Sequence, residues 1–333
     1  MQHVTRIWIV SAWLSLCIGL HATPGLAGMT QDLADCTASD KKTSADACTR
    51  VMKSGRLPRE QFYIGHYNRG WSHYNAGAYD KAVADFDKSI TYNPGYADTY
   101  YSRAVVQHER GERDKSLADL DVYLEKKGEV AEARLNRARL FRERGELDQA
   151  FSELQRAASL DPGDAKVTVM RALVLSDLGE QGPARTEAGK AIAAEPDEAG
   201  GYYARALVSF REDALDAAAA DADKAISLKE KYAAAHTLRG EIHERRGESK
   251  AAEASYRRAI AYTPKSIDAR AAQSKARTRL AALTGEEPSA AEPAAEIAEA
   301  APKEPEKPAA QSSDCRKFIP SAQTTVAVDC PSE

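Results

Sequence analysis

An internal period of 34 residues constrains the fold of this chain more than any other feature of its sequence. Counted from Tyr63 as position 1, six blocks follow one another over residues 63–266 without an insertion or a deletion. Position 8 is Gly or Ala in every block, and position 20 is Ala or Ser. One match of this length would carry little weight, whereas six in one register indicate an array of stacked supersecondary units.

Within each block the residue choices predict two helices joined by a turn. Positions 1–14 and about 17–30 have helical periodicity, and the small residues at positions 8 and 20 allow the two helices to approach closely. Position 15 is Gly in five blocks, which permits the positive φ that ends a helix, and position 32 is Pro in four. Asp213, Gly128 and Glu230 depart from this pattern, and Tyr123 replaces a small residue at position 27. We therefore expect looser packing between the second and third helix pairs.

This pattern resembles the tetratricopeptide repeat family, because it has that family's small residues at positions 8, 20 and 27, its Gly at position 15 and its Pro at position 32. The resemblance covers residues 63–266. It implies an all-α fold, namely an α-solenoid of six helix-turn-helix repeats whose inner face binds proteins or peptides. We expect residues 28–62 to cap the first repeat and a helix at residues 267–283 to cap the last.

Charged residues recur at two positions of the period. Position 7 is Arg in all six blocks, and position 23 is acidic in five of them. Because the acid recurs with the Arg, we expect a structural ladder of ion pairs between the two helices of each repeat. The alternative is a row of cations that binds an anionic ligand. The predicted ladder comprises Arg69 with Asp85, Arg103 with Asp119, Arg137 with Glu153, Arg171 with Glu187, and Arg205 with Asp221.

The resemblance also implies that positions 2, 5, 9 and 12 of each block line the concave groove. Aromatic and basic residues at these positions are typical of binding surfaces. The alternative is that the aromatic residues of the first repeats pack against the N-terminal cap. No Lys stands at position 5, so the Lys and Asn clamp with which some family members hold a C-terminal carboxylate is not supported. The predicted groove residues are Tyr67, Trp71, Tyr74, Tyr101, His108, Arg139, Arg142, Tyr203 and Phe210.

Residues 1–27 have the pattern of a secretory signal peptide. Arg6 precedes an uncharged apolar stretch at residues 7–20, and Gly25 and Ala27 supply the small residues of a cleavage site. The apolar stretch is short for a transmembrane helix, although an uncleaved anchor is the alternative. We expect an exported protein, periplasmic or secreted, of a Gram-negative bacterium, with no integral membrane segment after cleavage.

Cleavage would leave four cysteines, and an even count in an exported chain indicates disulfide bonds. Three pairings are open, of which the local one joins Cys36 to Cys48 and Cys315 to Cys330. A zinc site would need CxxC spacing or nearby His, and neither is present, so no metal site is predicted.

The composition changes after the predicted capping helix. Residues 284–314 are rich in Pro, Ala and Glu, which predicts a disordered linker. The tail at residues 315–333 contains an alternating stretch at 324–328, which predicts a small strand or hairpin closed by a disulfide. The function of this tail is open.

The remaining sequence features bear on function. Lys and Arg number 46 against 50 Asp and Glu, so no polybasic surface for nucleic acid is indicated. No GxSxG, phosphate-loop, HExxH or GxGxxG motif occurs, so no catalytic residue and no cofactor is predicted. The sequence predicts a non-enzymatic scaffold or adaptor that binds a protein or peptide in its groove. The alternatives are an envelope-tethering component that acts through the linker and tail, or an active site within the tail. Self-association through the convex or terminal faces is also left open.

Overall fold

The computed structural model describes residues 24–37, 45–55, 57–264, 266–285, 316–319 and 324–327. The chain forms two units, Met1–Ala291 and Glu292–Glu333. The predictions for residues 1–23, for the linker beyond residue 285 and for a Cys315–Cys330 bond lie outside the described residues. In the second unit, strands β1 (Arg316–Ile319) and β2 (Thr324–Ala327) form an antiparallel pair in which Arg316 lies opposite Ala327. A strand pair in the tail agrees with the alternation in its sequence.

The described part of the first unit is helical, as the period predicts. Its helices are α1 Pro24–Thr37, α2 Ala45–Lys53, α3 Phe62–Asn75, α4 Tyr79–Tyr92, α5 Ala97–Glu109, α6 Arg113–Lys127, α7 Ala131–Glu143, α8 Leu147–Leu160, α9 Ala165–Asp177, α10 Gln181–Ala194, α11 Ala199–Arg211, α12 Leu215–Leu228, α13 Ala233–Arg245, α14 Ser249–Ile260 and α15 Ile267–Thr284. A short 3-10 turn, Arg59–Gln61, precedes α3. From α3 to α14 the helices pair as six hairpins, one per repeat, and most first helices also contact the first helix of the next repeat. The predicted solenoid fold is confirmed.

Close approach within a hairpin depends on the small residue at position 8. A Cβ atom added to Gly70 would lie only 2.7 Å from Cε1 of Phe86, which is fully buried at position 24 of the same repeat. Gly240 stands against the ring of Tyr256 in the same way. In the other four repeats position 8 is Ala, and position 24 is Leu or Ala. Gly thus occurs where the facing side chain is an aromatic ring.

The turn inside each hairpin requires a left-handed residue at position 15. The five glycines at this position have φ between 73° and 87°. Asp213 takes the same conformation with φ of 60°, although it carries a side chain. The helix therefore ends at the same point in all six repeats.

The second and third hairpins are the most loosely joined. Helix α6 packs less closely on α7 than any other second helix packs on its successor. At this junction the Tyr123 ring lies 5.1 Å from that of Tyr101, and Gly128 follows the last residue of α6 with φ of 82°. This agrees with the expectation drawn from these two departures from the repeat pattern.

The N-terminal cap is a helical hairpin joined by a disulfide bond between Cys36 and Cys48, which confirms the local pairing at this end. Both cysteines are buried with Ala47 and Val51. Helix α1 begins at Pro24, before the predicted cleavage point, and Pro suits a first helical turn because it lacks a backbone donor. Helix α2 packs on α3, where the Thr49 hydroxyl accepts a hydrogen bond of 2.7 Å from Arg69.

At the other end α15 packs on α13 and α14 and ends one residue beyond the predicted capping helix. Its buried Gln273 donates hydrogen bonds to the carbonyl oxygens of Ala259 and Tyr262. None of the helices that the structure describes is both long enough and apolar enough to cross a bilayer.

Candidate binding groove

The structure brings each predicted Arg of the ladder close to its acid, but in two geometries. In the three pairs with Asp, the guanidinium donates from both Nε and Nη2 to the two carboxylate oxygens, at 2.6–2.8 Å. Each of these carboxylates is largely buried. The residues concerned are Arg69 and Asp85, Arg103 and Asp119, and Arg205 and Asp221.

The two pairs with Glu are wider. Arg137 and Glu153 approach only to 3.9 Å, and Arg171 and Glu187 to 3.3 Å. Within the described chain the buried Nε atoms of both arginines have no hydrogen-bond acceptor. The carboxylates instead bind other cations at 2.8 Å, Glu153 through Arg134 and Glu187 through Lys190.

In the first repeat the ladder extends into a buried network. Asp85 Oδ1 lies 2.9 Å from His66 Nδ1 and accepts a hydrogen bond of 2.6 Å from Arg69. Burial alone would raise the pKa of Asp85, but the hydrogen bonds from His66 and Arg69 outweigh it and lower the pKa to about 2. The arginines at position 7 are thus engaged between helices, which favours the structural interpretation over a row of free cations.

The predicted aromatic residues of the first repeat form one cluster. The Trp71 ring lies 5.3 Å from Tyr74 and 6.1 Å from the buried Phe86, and the Tyr67 ring lies 5.4 Å from Tyr96. The cap contacts α3 through Gly65 and Arg69, on a different face of that helix. The half-buried aromatic cluster of Tyr67, Trp71, Tyr74 and Tyr96 therefore rests on the second helix rather than on the cap.

Three predicted groove residues join neighbouring repeats. Asn136 donates a hydrogen bond of 2.8 Å to the Tyr101 hydroxyl. His108 and Arg142 each contact an acid 35 residues further along the chain, Glu143 at 2.7 Å and Asp177 at 2.5 Å. Because Asp177 compensates Arg142, this arginine adds less positive charge to the groove than its sequence position suggests.

Two of the remaining predicted residues, Arg139 and Tyr203, meet Arg142 in the second half of the groove. Arg139, Arg142 and Tyr203 line a cavity of about 520 Å³, hereafter the groove cavity. Its walls come from the first helices α7, α9, α11 and α13, from the loop before α13, and from α15. Phe210 lies outside it and packs beneath the Arg245 guanidinium at 4.4 Å.

Several residues that line this cavity were not predicted from the sequence, among them Lys229, Lys231 and Tyr232. The repeat pattern could have identified Tyr232, because the first and fifth repeats have the same pair of tyrosines. Tyr203 and Tyr232 stand at positions 5 and 34 of the fifth repeat, with ring centroids 5.2 Å apart. Tyr67 and Tyr96 occupy the same two positions in the first repeat, 5.4 Å apart.

The wall formed by α15 is fastened to the second repeat. The backbone N–H of Ile267 donates a hydrogen bond of 2.9 Å to Glu109 Oε2, at the end of α5. Arg270 lies 3.3 Å from the same carboxylate and also donates to the Glu109 carbonyl oxygen. This contact, hereafter the clasp, joins residues about 160 positions apart in sequence. A first helix and the C-terminal helix thus meet across the groove.

Across the residues that the structure describes, no group of three or more His, Cys, Asp or Glu side chains is arranged to hold a metal ion.

Comparison with protein families supports the repeat assignment. A family model described as tetratricopeptide repeat matches residues 63–96, and a second with the same description matches residues 110–165 and 215–267. No curated protein matches the sequence.

Solved structures share the fold at low sequence identity. A tetratricopeptide repeat protein from Parabacteroides merdae is 18% identical with a TM-score of 0.65, covering 75% of this chain and 97% of that one. A chain of the APC/C hetero-tetramer Cut9–Hcn1 is 15% identical with a TM-score of 0.58, covering 74% and 48%. PilW, a widely conserved type IV pilus biogenesis factor, is 18% identical with a TM-score of 0.53, covering 62% and 96%. At these identities the likeness concerns the fold alone.

Proposed function

Since this chain is a tetratricopeptide repeat protein, we propose that it is a non-enzymatic scaffold that holds an extended segment of a partner protein in its groove. The observation that carries the proposal is the groove cavity, which is walled by the first helices of successive repeats. The aromatic cluster of the first repeat supplies a second contact area on the same series of helices. Half-exposed aromatic side chains provide large contact area with polar tips.

We further propose that the protein works in the bacterial periplasm. The signal-like residues 1–27 support this compartment. The disulfide bond between Cys36 and Cys48 also supports it, because such bonds persist in oxidising compartments.

An affinity pull-down from envelope extract tests the scaffold. The bait is the full chain, compared with a Tyr67→Ala/Trp71→Ala variant. We expect the double variant to lose the partners that the wild-type chain retains, because it removes two of the four residues of the aromatic cluster.

The matched control is Tyr100→Ala/Tyr202→Ala. These two tyrosines stand at position 4 of their repeats, where they lie beneath Arg103 and Arg205. The control should retain the partners, and thermal melting by circular dichroism should show that all three proteins are folded. Equal retention by both variants would argue against the aromatic cluster as a binding surface.

Tryptophan fluorescence gives an independent readout. The chain has three tryptophans, Trp8, Trp13 and Trp71, so replacing the first two by Phe leaves Trp71 as the reporter. We expect an isolated partner to shift Trp71 emission, and an unchanged spectrum with a proven partner would contradict binding at this cluster.

A further inference from the structure

We propose that the chain has a second docking surface, on the face formed by the second helices of the repeats, which takes a helix of a second partner protein through an acidic side chain. This surface, hereafter the outer furrow, is a cavity of about 450 Å³ between α10 and α12. Its lining residues are Arg185, Gly189, Arg205, Ser209, Ala217, Ala220 and Asp221. The inference goes beyond the proposed function, because it does not depend on what the groove holds.

The outer furrow and the groove cavity lie on opposite faces of α11. Arg205 and Ser209 line the outer furrow, whereas Tyr203 and Leu207 line the groove cavity. Side chains two residues apart on an α-helix point about 200° away from each other. A segment held in the groove therefore leaves the outer furrow free, and two partners can bind at the same time.

The outer furrow lies at a junction where the repeat pattern lacks an acid. At three other junctions the arginine at position 7 meets a second carboxylate, from position 25 of the preceding repeat. These pairs are Arg103 with Asp87 at 2.5 Å, Arg137 with Asp121 at 3.3 Å, and Arg239 with Asp223 at 3.3 Å. In the fourth repeat position 25 is Gly189. Among the described residues, Arg205 consequently has no carboxylate within 4 Å besides that of Asp221.

One edge of the Arg205 guanidinium is therefore free. Its Nε and Nη2 donate to Asp221 at 2.7 Å, and its Nη1 has no acceptor in the part of the chain that the structure describes. In the second repeat, Arg103 holds Asp119 through Nε and Nη2 and also donates from Nη1 to Asp87. An arginine in this position can thus bind two carboxylates, and in the outer furrow the second one can come from a partner.

The corresponding furrow between α4 and α6 shows what the missing acid does. Residues at positions 7, 11, 22 and 23 line both cavities, and Asp87 stands where the outer furrow has Gly189. The furrow with Asp87 has a volume of about 350 Å³, against about 450 Å³ for the outer furrow. The glycine therefore leaves both space and a donor without an acceptor.

Ser209 supplies a second polar group without a partner. Its side chain lines the outer furrow, the residue is only 1% exposed, and its Oγ has no hydrogen-bond partner among the described residues. Buried hydroxyl groups are normally hydrogen-bonded, and a hydroxyl can donate to a carboxylate. The other cation of the wall, Arg185, is paired with Glu212. Arg205 and Ser209 are thus the groups that select an acid.

The walls of the outer furrow favour a helix over an extended segment. Gly189, Ala217 and Ala220 have no side-chain atom beyond Cβ, so another backbone can approach closely. They offer no side-chain hydrogen bond to an extended backbone, whereas a helix bonds its own N–H and C=O groups. A helix with an acidic residue toward Arg205 is therefore the ligand that fits this surface.

Fluorescence anisotropy with labelled helical peptides tests the inference on the full chain. Two Ala-based peptides of about 18 residues, each fixed as a helix by a hydrocarbon staple, have Glu or Gln at one central position opposite the staple. We expect the Glu peptide to bind about tenfold more tightly than the Gln peptide. A Glu peptide without the staple and with two central prolines should lose this advantage, because it cannot form the helix.

Variants of the chain assign the effect to the outer furrow. Gly189→Asp supplies the missing carboxylate from the chain itself and should abolish the advantage of the Glu peptide, because it occupies Arg205. Gly189→Ala should keep the advantage, since no atom lies within 4 Å of the new Cβ. Ala84→Asp adds the same charge at an exposed position of α4 and should also keep it.

A second measurement needs no ligand. Gly189→Asp should melt about 2 °C higher than Gly189→Asn at neutral pH, because only the carboxylate can form an ion pair with Arg205. Equal melting temperatures would show that the free edge of Arg205 takes no carboxylate, and would overturn the inference.

Three results of the peptide experiment would also overturn it: equal affinity for the Glu and Gln peptides, binding of neither, or an advantage that survives Gly189→Asp. Loss of the advantage in Tyr67→Ala/Trp71→Ala would do the same, since the peptide would then lie in the groove. The pull-down tests the groove separately, so failure of the outer furrow leaves the proposed scaffold untouched.

Discussion

One methylene group separates the two kinds of Arg–carboxylate pair in this chain. With Asp at position 23, the carboxylate reaches both Nε and Nη2 of the arginine. With Glu, the longer side chain places its oxygens elsewhere, and the arginine Nε stays buried without an acceptor in the described chain. Side-chain length therefore decides whether a rung of the ladder is fully hydrogen-bonded.

Shortening the ladder acid of the fourth repeat, Glu187, by one methylene group should give its arginine the missing hydrogen bond. We expect Glu187→Asp to raise the free energy of unfolding by about 1 kcal/mol, because Arg171 Nε gains an acceptor. The lost contact to Lys190 matters little, since that lysine is exposed. Urea denaturation followed by circular dichroism measures the change. The reciprocal variant Asp221→Glu should be destabilised by a similar amount, and a stabilised Asp221→Glu would contradict this explanation.

The buried Asp85 should make stability depend on acid pH. Its pKa in the folded chain is about 2, below the ordinary value of 3.8. The ionised Asp85 therefore adds about 2 kcal/mol to the free energy of unfolding above about pH 4. This stabilisation is lost as the pH falls toward 2. Urea denaturation between pH 5 and pH 2.5 should show a smaller loss in Asp85→Asn than in the wild-type chain. Asp80→Asn, at a highly exposed carboxylate, should keep the wild-type slope.

The sequence predicts which residues pair in the ladder, because a spacing of 16 residues recurs on two adjacent helices. It does not predict the ion pair between Arg134 and Glu153 or the one between Arg142 and Asp177. Those choices depend on side-chain positions between helices and between repeats, which a period cannot specify.

At the scale of the helical hairpin, the residues at positions 8 and 24 are matched in size. Gly faces Phe86 and Tyr256, whereas Ala faces Leu or Ala in the other repeats. The period predicts the helices and their close approach. The match in size between positions 8 and 24 is apparent only from the structure, where an aromatic ring occupies the space that a Cβ at position 8 would need.

Adding that Cβ should be costly. We expect Gly240→Ala to lower the free energy of unfolding by about 1–2 kcal/mol, because the new methyl overlaps the Tyr256 ring. In Gly240→Ala/Tyr256→Leu, which recreates the combination of Ala104 and Leu120, the loss should be smaller than the sum of the single losses. The control Gly189→Ala has no atom within 4 Å of its new Cβ and should be stabilised by about 0.5–1 kcal/mol. Additive losses in the double variant would contradict size matching.

At the scale of the whole first unit, the clasp joins the second repeat to α15. It arises from small rotations that accumulate over the intervening repeats, so no local pattern in the sequence predicts it. For the same reason the sequence did not predict that α15 forms a wall of the groove cavity, although it predicted three residues of the opposite walls, Arg139, Arg142 and Tyr203.

Weakening the clasp should loosen that wall. We expect Glu109→Gln to accelerate hydrogen exchange several-fold in a peptide that covers residues 262–275, because Ile267 loses a charged acceptor and Arg270 its ion pair. Deuterium uptake followed by mass spectrometry measures this, with Glu125→Gln, at an exposed carboxylate of α6, as the control. Unchanged uptake in Glu109→Gln would mean that the clasp does not hold α15.

Photo-cross-linking from two matched positions shows whether the partner lies in the groove, as we propose. Benzoylphenylalanine replaces either Ala271, an exposed alanine of α15 that lines the groove cavity, or Ala220, an exposed alanine of the second helix α12 outside it. In the envelope of living cells, we expect cross-links to the groove partner from position 271 and none to that partner from position 220. Cross-links to the same partner from position 220 but not from position 271 would contradict binding in the groove.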